Sequence, residues 1–212
     1  MNYSNIAQLE EGINIVFDLY RNYGGHDYIG EEVTQLEHAQ QCAYQASQEY
    51  PDNREIILGA FLHDVGHLLS IHDSKCSQKE KYIQFDNLSL NGLGLVNHEN
   101  IGADFLEKMG FPKSVSSLGR NHVLAKRYLI TRDSDYLEKL SEASKETFKL
   151  QGGVLSETEL ANFELDGEHP IFLRMRHWDD MAKDLNFEYQ RDIDFYRDMA
   201  LNLLLKKYNY CL

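Results

Sequence analysis

Apolar residues recur at helical spacing along almost the whole chain, and this constrains the fold more than any other feature. Ile6, Leu9, Ile13, Val16, Phe17 and Tyr20 mark one face of a helix predicted over 5–22. Further helices are expected over 33–49, 53–68, 98–109, 113–131, 133–150, 156–164, 170–184 and 190–207. Only three prolines interrupt 212 residues, a length that suits one domain with a sizeable core. The expected fold class is all-α and compact, with 1–212 as a single domain. Several boundaries are chemically marked. Asp52 is the expected N-cap after Pro51. Gly110 ends a helix just before Pro112, and Ser156 with Glu159 reads as a capping box. Two stretches break the pattern. "NYGGHDYIGEE", 22–32, carries three glycines and suits a lid. "SIHDSKCSQKEKYIQFDNLSLNGLGLVN", 70–97, is a long polar loop of the kind that is often functional.

Charge excludes some partners. There are 34 Asp and Glu against 21 Lys and Arg, a net −13. A field of that sign repels nucleic acid and anionic membranes, so neither is an expected partner. A pocket can still be locally positive and take a small anion. Cys42, Cys76 and Cys211 are widely spaced and imply no disulfide framework. The first residues lack a basic region followed by a pure apolar stretch. No apolar run approaches the roughly 20 residues of a membrane span. The expected location is the cytoplasm.

The segment "REIILGAFLHDVGH" raises the chemical question. An apolar run ends at His63 and Asp64, with His67 one turn later on the face of His63. Imidazole beside carboxylate suits a divalent transition metal. Adjacent helical residues point about 100° apart, so His63 and Asp64 reach one ion only at a helix end. A helix cap explains His63 but not Asp64, since a carboxylate is disfavoured at the negative end of a helix. Of the nine histidines, His26, His72, His169 and His177 read as structural or surface residues.

"HD" at the end of an apolar helix, with an earlier His38 in "QLEHAQQCAYQA" and a later Asp179 in "LRMRHWDDMAK", resembles the HD-domain superfamily of helical metal-binding proteins. His98 in "LVNHENIGADFL" and His122 in "LGRNHVLAKRYL" resemble the subset that holds two metals. Together with "HDYIGEEVTQLEHAQQ", "EASKETF" and "LQGG", the chain is similar over roughly 20–185 to the PhnZ-type branch, mixed-valence diiron oxygenases of 1-hydroxyalkylphosphonates. The resemblance implies an HD domain with its metal-binding core at about 33–185. It implies two iron ions, Fe(II)/Fe(III), with His38, His63 and Asp179 on the first, His98 and His122 on the second, and Asp64 between them. Asp180 is the alternative to Asp179. The same ligands also accept manganese or zinc.

The resemblance further implies a role in phosphonate catabolism. Oxygen would cleave the carbon–phosphorus bond and give phosphate and a carboxylic acid. Tyr28 and Glu31 match the branch's mobile tyrosine and glutamate, the tyrosine filling an iron position until substrate arrives. His67 is expected to bond Glu31. A 2-aminoethyl group, its trimethylammonium analogue and a bare hydroxymethyl group all remain open as the substrate's remainder, with Glu31 leaning towards an amine-bearing substrate such as 2-amino-1-hydroxyethylphosphonate. Lys126, four residues after His122, and Arg176, three before Asp179, lie on ligand faces and suit an oxyanion. Ser144 and Thr147 are candidate hydroxyl donors to the same group. A metal-dependent HD phosphohydrolase is the rival reading, because its core ligands are the same. A noncatalytic sensor domain is a weaker rival, because it predicts missing ligands.

Overall fold

The computed structural model describes residues 6–28, 30–77, 80–82 and 94–209. Among these the chain is helical throughout, with no strand and one isolated bridge, Asp27 to Thr34. The helices are α1 Ile6–Tyr23, α2 Gln35–Glu49, α3 Arg54–Leu62, α4 Val65–Lys75, α5 His98–Lys108 and α6 Lys113–Arg132. They continue with α7 Ser134–Lys139, α8 Glu142–Leu150, α9 Glu157–Leu165, α10 His169–Met181 and α11 Ile193–Lys207. The long α6 packs against α3, α5 and α10, while α2 packs against α3 and α10. On the other side α1 lies against α4 and α11.

The core is aromatic where α1, α3 and α11 meet. Phe61 stacks on Tyr196 at 4.1 Å between centroids, and Tyr20 covers the same ring at 4.7 Å. The Tyr20 hydroxyl donates to the Phe61 carbonyl at 3.0 Å, so its burial leaves no unmet donor. Trp178 is fully buried, and its indole donates to Glu49 at 3.0 Å. The adjacent His177 points to solvent.

Four boundaries differ from the sequence reading. The segment 53–68 is two helices, broken at His63 and Asp64. Asn53, not Asp52, caps α3 by accepting from the Ile56 amide at 3.1 Å. The segment 133–150 divides at Ser141, which caps α8. Residues 70–75 of the expected loop extend α4, and 83–93 lie outside the described residues. The Ser156–Glu159 capping box is present, and Thr34–Glu37 forms a second one ahead of α2. No described helix is long and apolar enough to cross a membrane. Cys42 and Cys76 are free, and Cys211 lies outside the described residues.

Candidate metal centre

The break between α3 and α4 explains the carboxylate that the sequence left unexplained. Asp64 does not end a helix; it stands at the N-cap position of α4 with φ −104° and ψ 16°. Its side chain caps nothing and turns inward. The positive end of α4 favours the charge there.

Two close backbone crossings bring partners to this break. A Cβ on Gly66 would lie 2.2 Å from the His98 carbonyl oxygen, and one on Gly102 would lie 2.9 Å from the Gly66 nitrogen. A Cβ on Gly119 would lie 2.8 Å from the His63 carbonyl oxygen. Only hydrogen fits at these points, so α5 and α6 close onto the His63–Asp64 corner. From α5 comes His98, from α6 His122, from α2 His38 and from α10 Asp179.

All six side chains are buried. His38, His63, Asp64 and Asp179 form one group with ligand atoms within 4.8 Å of one another, and Asp64, His98 and His122 form a second. Asp64 belongs to both. Its Oδ2 lies 3.2 Å from His63 Nε2 and 3.8 Å from His38 Nε2. Its Oδ1 lies 3.3 Å from His98 Nε2 and 3.4 Å from His122 Nε2. Asp179 Oδ1 lies 3.3 Å from His38 Nε2.

The donor set fits metal ions on chemical grounds. Each of the four Nδ1 atoms meets a main-chain carbonyl: His38 on Ala182 at 2.9 Å, His63 on Ala60 at 2.9 Å, His98 on Leu95 at 3.1 Å and His122 on Gly119 at 2.6 Å. A carbonyl only accepts, so each Nδ1 carries a ring proton and leaves Nε2 as the atom that can present a lone pair to a metal ion. These lone pairs converge, His38 on His63 at 3.3 Å and His98 on His122 at 3.1 Å. Facing lone pairs repel unless a cation lies between them. Such orientation by an outer carbonyl is usual for metal-binding histidines.

The electrostatics agree. Burial opposes the charge on His63, but the Asp64 and Asp179 carboxylates outweigh it and raise its pKa to about 9, so this end of the site draws in positive charge, as a proton on His63 or as a metal ion that replaces it. Burial lowers His122 to about 3, so that ring stays neutral. Burial also works against the charges on Asp64 and Asp179, yet the surrounding cations hold both well below the usual carboxylate range. Cys42 also approaches the first group, its Sγ 3.7 Å from His38 Nε2. Burial and the two carboxylates push its thiol up, so it stays protonated and is a poorer ligand than Asp179. Asp180 is not in either group; it pairs with Arg176 and Tyr136.

A cavity of about 60 Å³ opens onto both groups. Lys126, Ser144, Thr147 and Arg176 all line it, as do Tyr28, Glu31 and His67. Lys126 is buried and donates to Thr147 Oγ1 at 3.0 Å; burial, then the nearby Arg176 charge, lowers its pKa to about 7. Arg176 donates to Asp179 Oδ2 at 2.6 Å, and its buried Nε has no partner among the described residues. Gln151 also lines the cavity, with its amide oxygen buried and without a partner among the described residues. Sequence reasoning missed it, although Ser144, Thr147 and Gln151 are spaced three and four apart along one face.

The segment before α2 reaches into the site. Tyr28 lies flat on His38 at 3.8 Å with 12° between planes, and its hydroxyl donates to Asp179 Oδ1 at 3.2 Å. Burial, then the Asp179 charge, keeps the phenol protonated. Glu31 and His67 do not bond each other, contrary to expectation. Glu31 pairs with Lys183 at 2.7 Å. His67 stacks on His98 at 3.9 Å, and its Nδ1 accepts from the Leu95 amide at 3.4 Å. The chain leaving α10 brings Lys183 to the lid segment, and α4 turns His67 towards α5.

An all-helical chain with a buried His/Asp cluster of this kind defines a helical protein with a potential metal site. No protein-family model matches it. The chain is 36% identical over 174 residues to the hydroxymethylphosphonate dioxygenase of Gimesia maris, covering 82% of this chain and 79% of that protein. It is 33% identical over 190 residues to the glycine-betaine-forming 1-hydroxy-2-(trimethylamino)ethylphosphonate dioxygenase of Leisingera caerulea, covering 89% of each. It is also 38% identical over 209 residues to an uncharacterized protein of Acanthamoeba polyphaga mimivirus, covering 97% of this chain and 88% of the viral one. The chain belongs to the hydroxyphosphonate dioxygenase family.

Proposed function

We propose that this chain is an HD-type, single-domain diiron oxygenase that cleaves the carbon–phosphorus bond of a 1-hydroxyalkylphosphonate with O2. The products are orthophosphate and the carboxylic acid. The observation that carries this reading is the division of one buried carboxylate, Asp64, between two convergent histidine pairs. The family's named dioxygenases support the oxygen chemistry.

His38, His63 and Asp179 would hold one iron, His98 and His122 the other, with Asp64 shared. A mixed-valence pair of iron ions supplies oxygen activation and Lewis-acid binding of substrate oxygens when bound. The chain's part is recognition and exclusion. Lys126 donates to a phosphonate oxygen, with the Thr147 and Ser144 hydroxyls beside it. Arg176 holds Asp179 in place by its hydrogen bond and offers its free Nε to the cavity. Gln151 meets the substrate with its unpaired amide oxygen. Tyr28 occupies the ground over His38 and Asp179 and yields it to the substrate. Its phenol remains protonated and keeps water off that flank until then. His67 supports the His98 ring by stacking, and Glu31 anchors the Tyr28 segment through Lys183.

The atoms balance without a further reductant. The substrate hydroxyl oxygen stays in the acid, and the acid and the phosphate each gain one oxygen atom. The test is phosphate release from the iron-loaded protein in air and under anaerobic conditions. Release only in air supports the oxygenase. Equal release without oxygen assigns the site to phosphohydrolysis.

A further inference from the structure

Glu31 is the only carboxylate lining the cavity that stands outside the two metal-binding groups, among the described residues. Among the described residues it is therefore the one acidic group available to recognise a cationic substituent on the substrate. In this chain it is already taken. Its Oε1 lies 2.7 Å from Lys183 Nζ, which also donates to Ser141 Oγ at 3.1 Å. Both side chains are largely buried, at 15% and 18% exposure, so the pair is only weakly screened.

Adding an ammonium group beside Glu31 would place a second cation next to Lys183 on one carboxylate. Lys126 and Arg176 add further positive charge to the same enclosure. A quaternary ammonium group would need aromatic faces instead. Apart from histidines, Tyr28 is the one aromatic ring lining the cavity among the described residues, and one of its faces is covered by His38. Val96, Ala143 and Leu150 supply small apolar lining. The site thus suits a dianionic head and an uncharged or absent tail.

We infer that Lys183 is a specificity-determining residue: by neutralising Glu31 it selects hydroxyphosphonates without a cationic substituent, hydroxymethylphosphonate being the simplest. This rests on the function proposed above and names the substrate class of that same site.

The experiment is anaerobic calorimetry of the iron-loaded protein with hydroxymethylphosphonate, 2-amino-1-hydroxyethylphosphonate and the trimethylammonio analogue of the latter. Wild type should bind the first at least tenfold more tightly than either cationic compound. Lys183→Met should shift that ratio at least tenfold towards the cationic compounds, and Lys183→Arg should restore the wild-type order. Glu31→Gln, which keeps shape and loses charge, should not selectively weaken the cationic compounds. Tighter binding of a cationic compound by wild type overturns the inference, as does selective loss of such binding in Glu31→Gln. If none of the three binds, the hydroxyphosphonate reading itself falls and takes this inference with it.

Discussion

Asp64 Oδ1 lies 3.3 Å from His98 Nε2, while the other oxygen of the same carboxylate faces His63 at 3.2 Å. One residue therefore belongs to two ligand groups. The metal content of variants should reveal this directly. Wild type is expected to bind two ions per chain, Asp64→Ala to lose both, and His98→Ala to keep one. Elemental analysis of purified proteins gives the count. One ion per wild-type chain contradicts the dinuclear arrangement.

Lys126 is expected to act on substrate and not on metal. Lys126→Ala should keep its ions yet bind phosphonate roughly ten- to a hundredfold more weakly, the loss of one charge-assisted hydrogen bond at about 1.5–3 kcal/mol. Unchanged affinity would remove Lys126 from the substrate's surroundings.

The lowered pKa of Lys126 gives a pH signature. Its ammonium is fully charged below about 7 and is lost as pH rises through that value. Phosphonate binding by wild type should therefore weaken above about 7 relative to Lys126→Arg, whose guanidinium stays charged. Ionisation of the ligand is common to both proteins and cancels in the ratio. Parallel affinity profiles across this range would contradict the assignment.

Tyr28 covers His38 and bonds Asp179, so removing its hydroxyl should expose the first ligand group. Tyr28→Phe is expected to keep both ions but to oxidise faster in air when substrate is absent. Electron paramagnetic resonance before and after admitting air measures this. Identical spectra and oxidation rates in both proteins would show that Tyr28 guards nothing.

The crossing of α4 and α5 predicts a structural effect with a chemical readout. Gly66→Ala places a methyl group 2.2 Å from the His98 carbonyl oxygen, and backbone cannot swing away. Overpacking of this kind costs about 1–3 kcal/mol. Denaturant unfolding should show that loss, and metal content should fall with it as His98 is displaced. Wild-type stability and full metal occupancy in Gly66→Ala would mean that the crossing is looser than described.

The sequence carried the fold class because helical period is local: α1, α2 and α6 follow directly from apolar spacing and caps. It did not carry the break at His63 and Asp64, where no glycine or proline stands at positions 62–65. That break sits where two distant parts of the chain close in, α5 against Gly66 and Gly119 of α6 against the His63 carbonyl. The six buried His and Asp residues were legible as a set through resemblance, whereas their convergence is a product of four helices crossing. Partners were the least legible. The sequence reading pairs Glu31 with His67, but the chain leaving α10 brings Lys183 to Glu31 instead. Gln151 was hidden because an amide at a helix end looks ordinary until its surroundings prove dry.

Oxygen-dependent carbon–phosphorus cleavage leaves its mark in the source of the product oxygens, which isotope tracing reads. Iron-loaded protein is supplied with hydroxymethylphosphonate and isotopically heavy oxygen gas in ordinary water, and both products are weighed by mass spectrometry. One heavy oxygen atom is expected in the carboxylic acid and one in the phosphate, with no phosphate formed when the gas is withheld. Phosphate released at the same rate without oxygen, its new oxygen drawn from water, would contradict it.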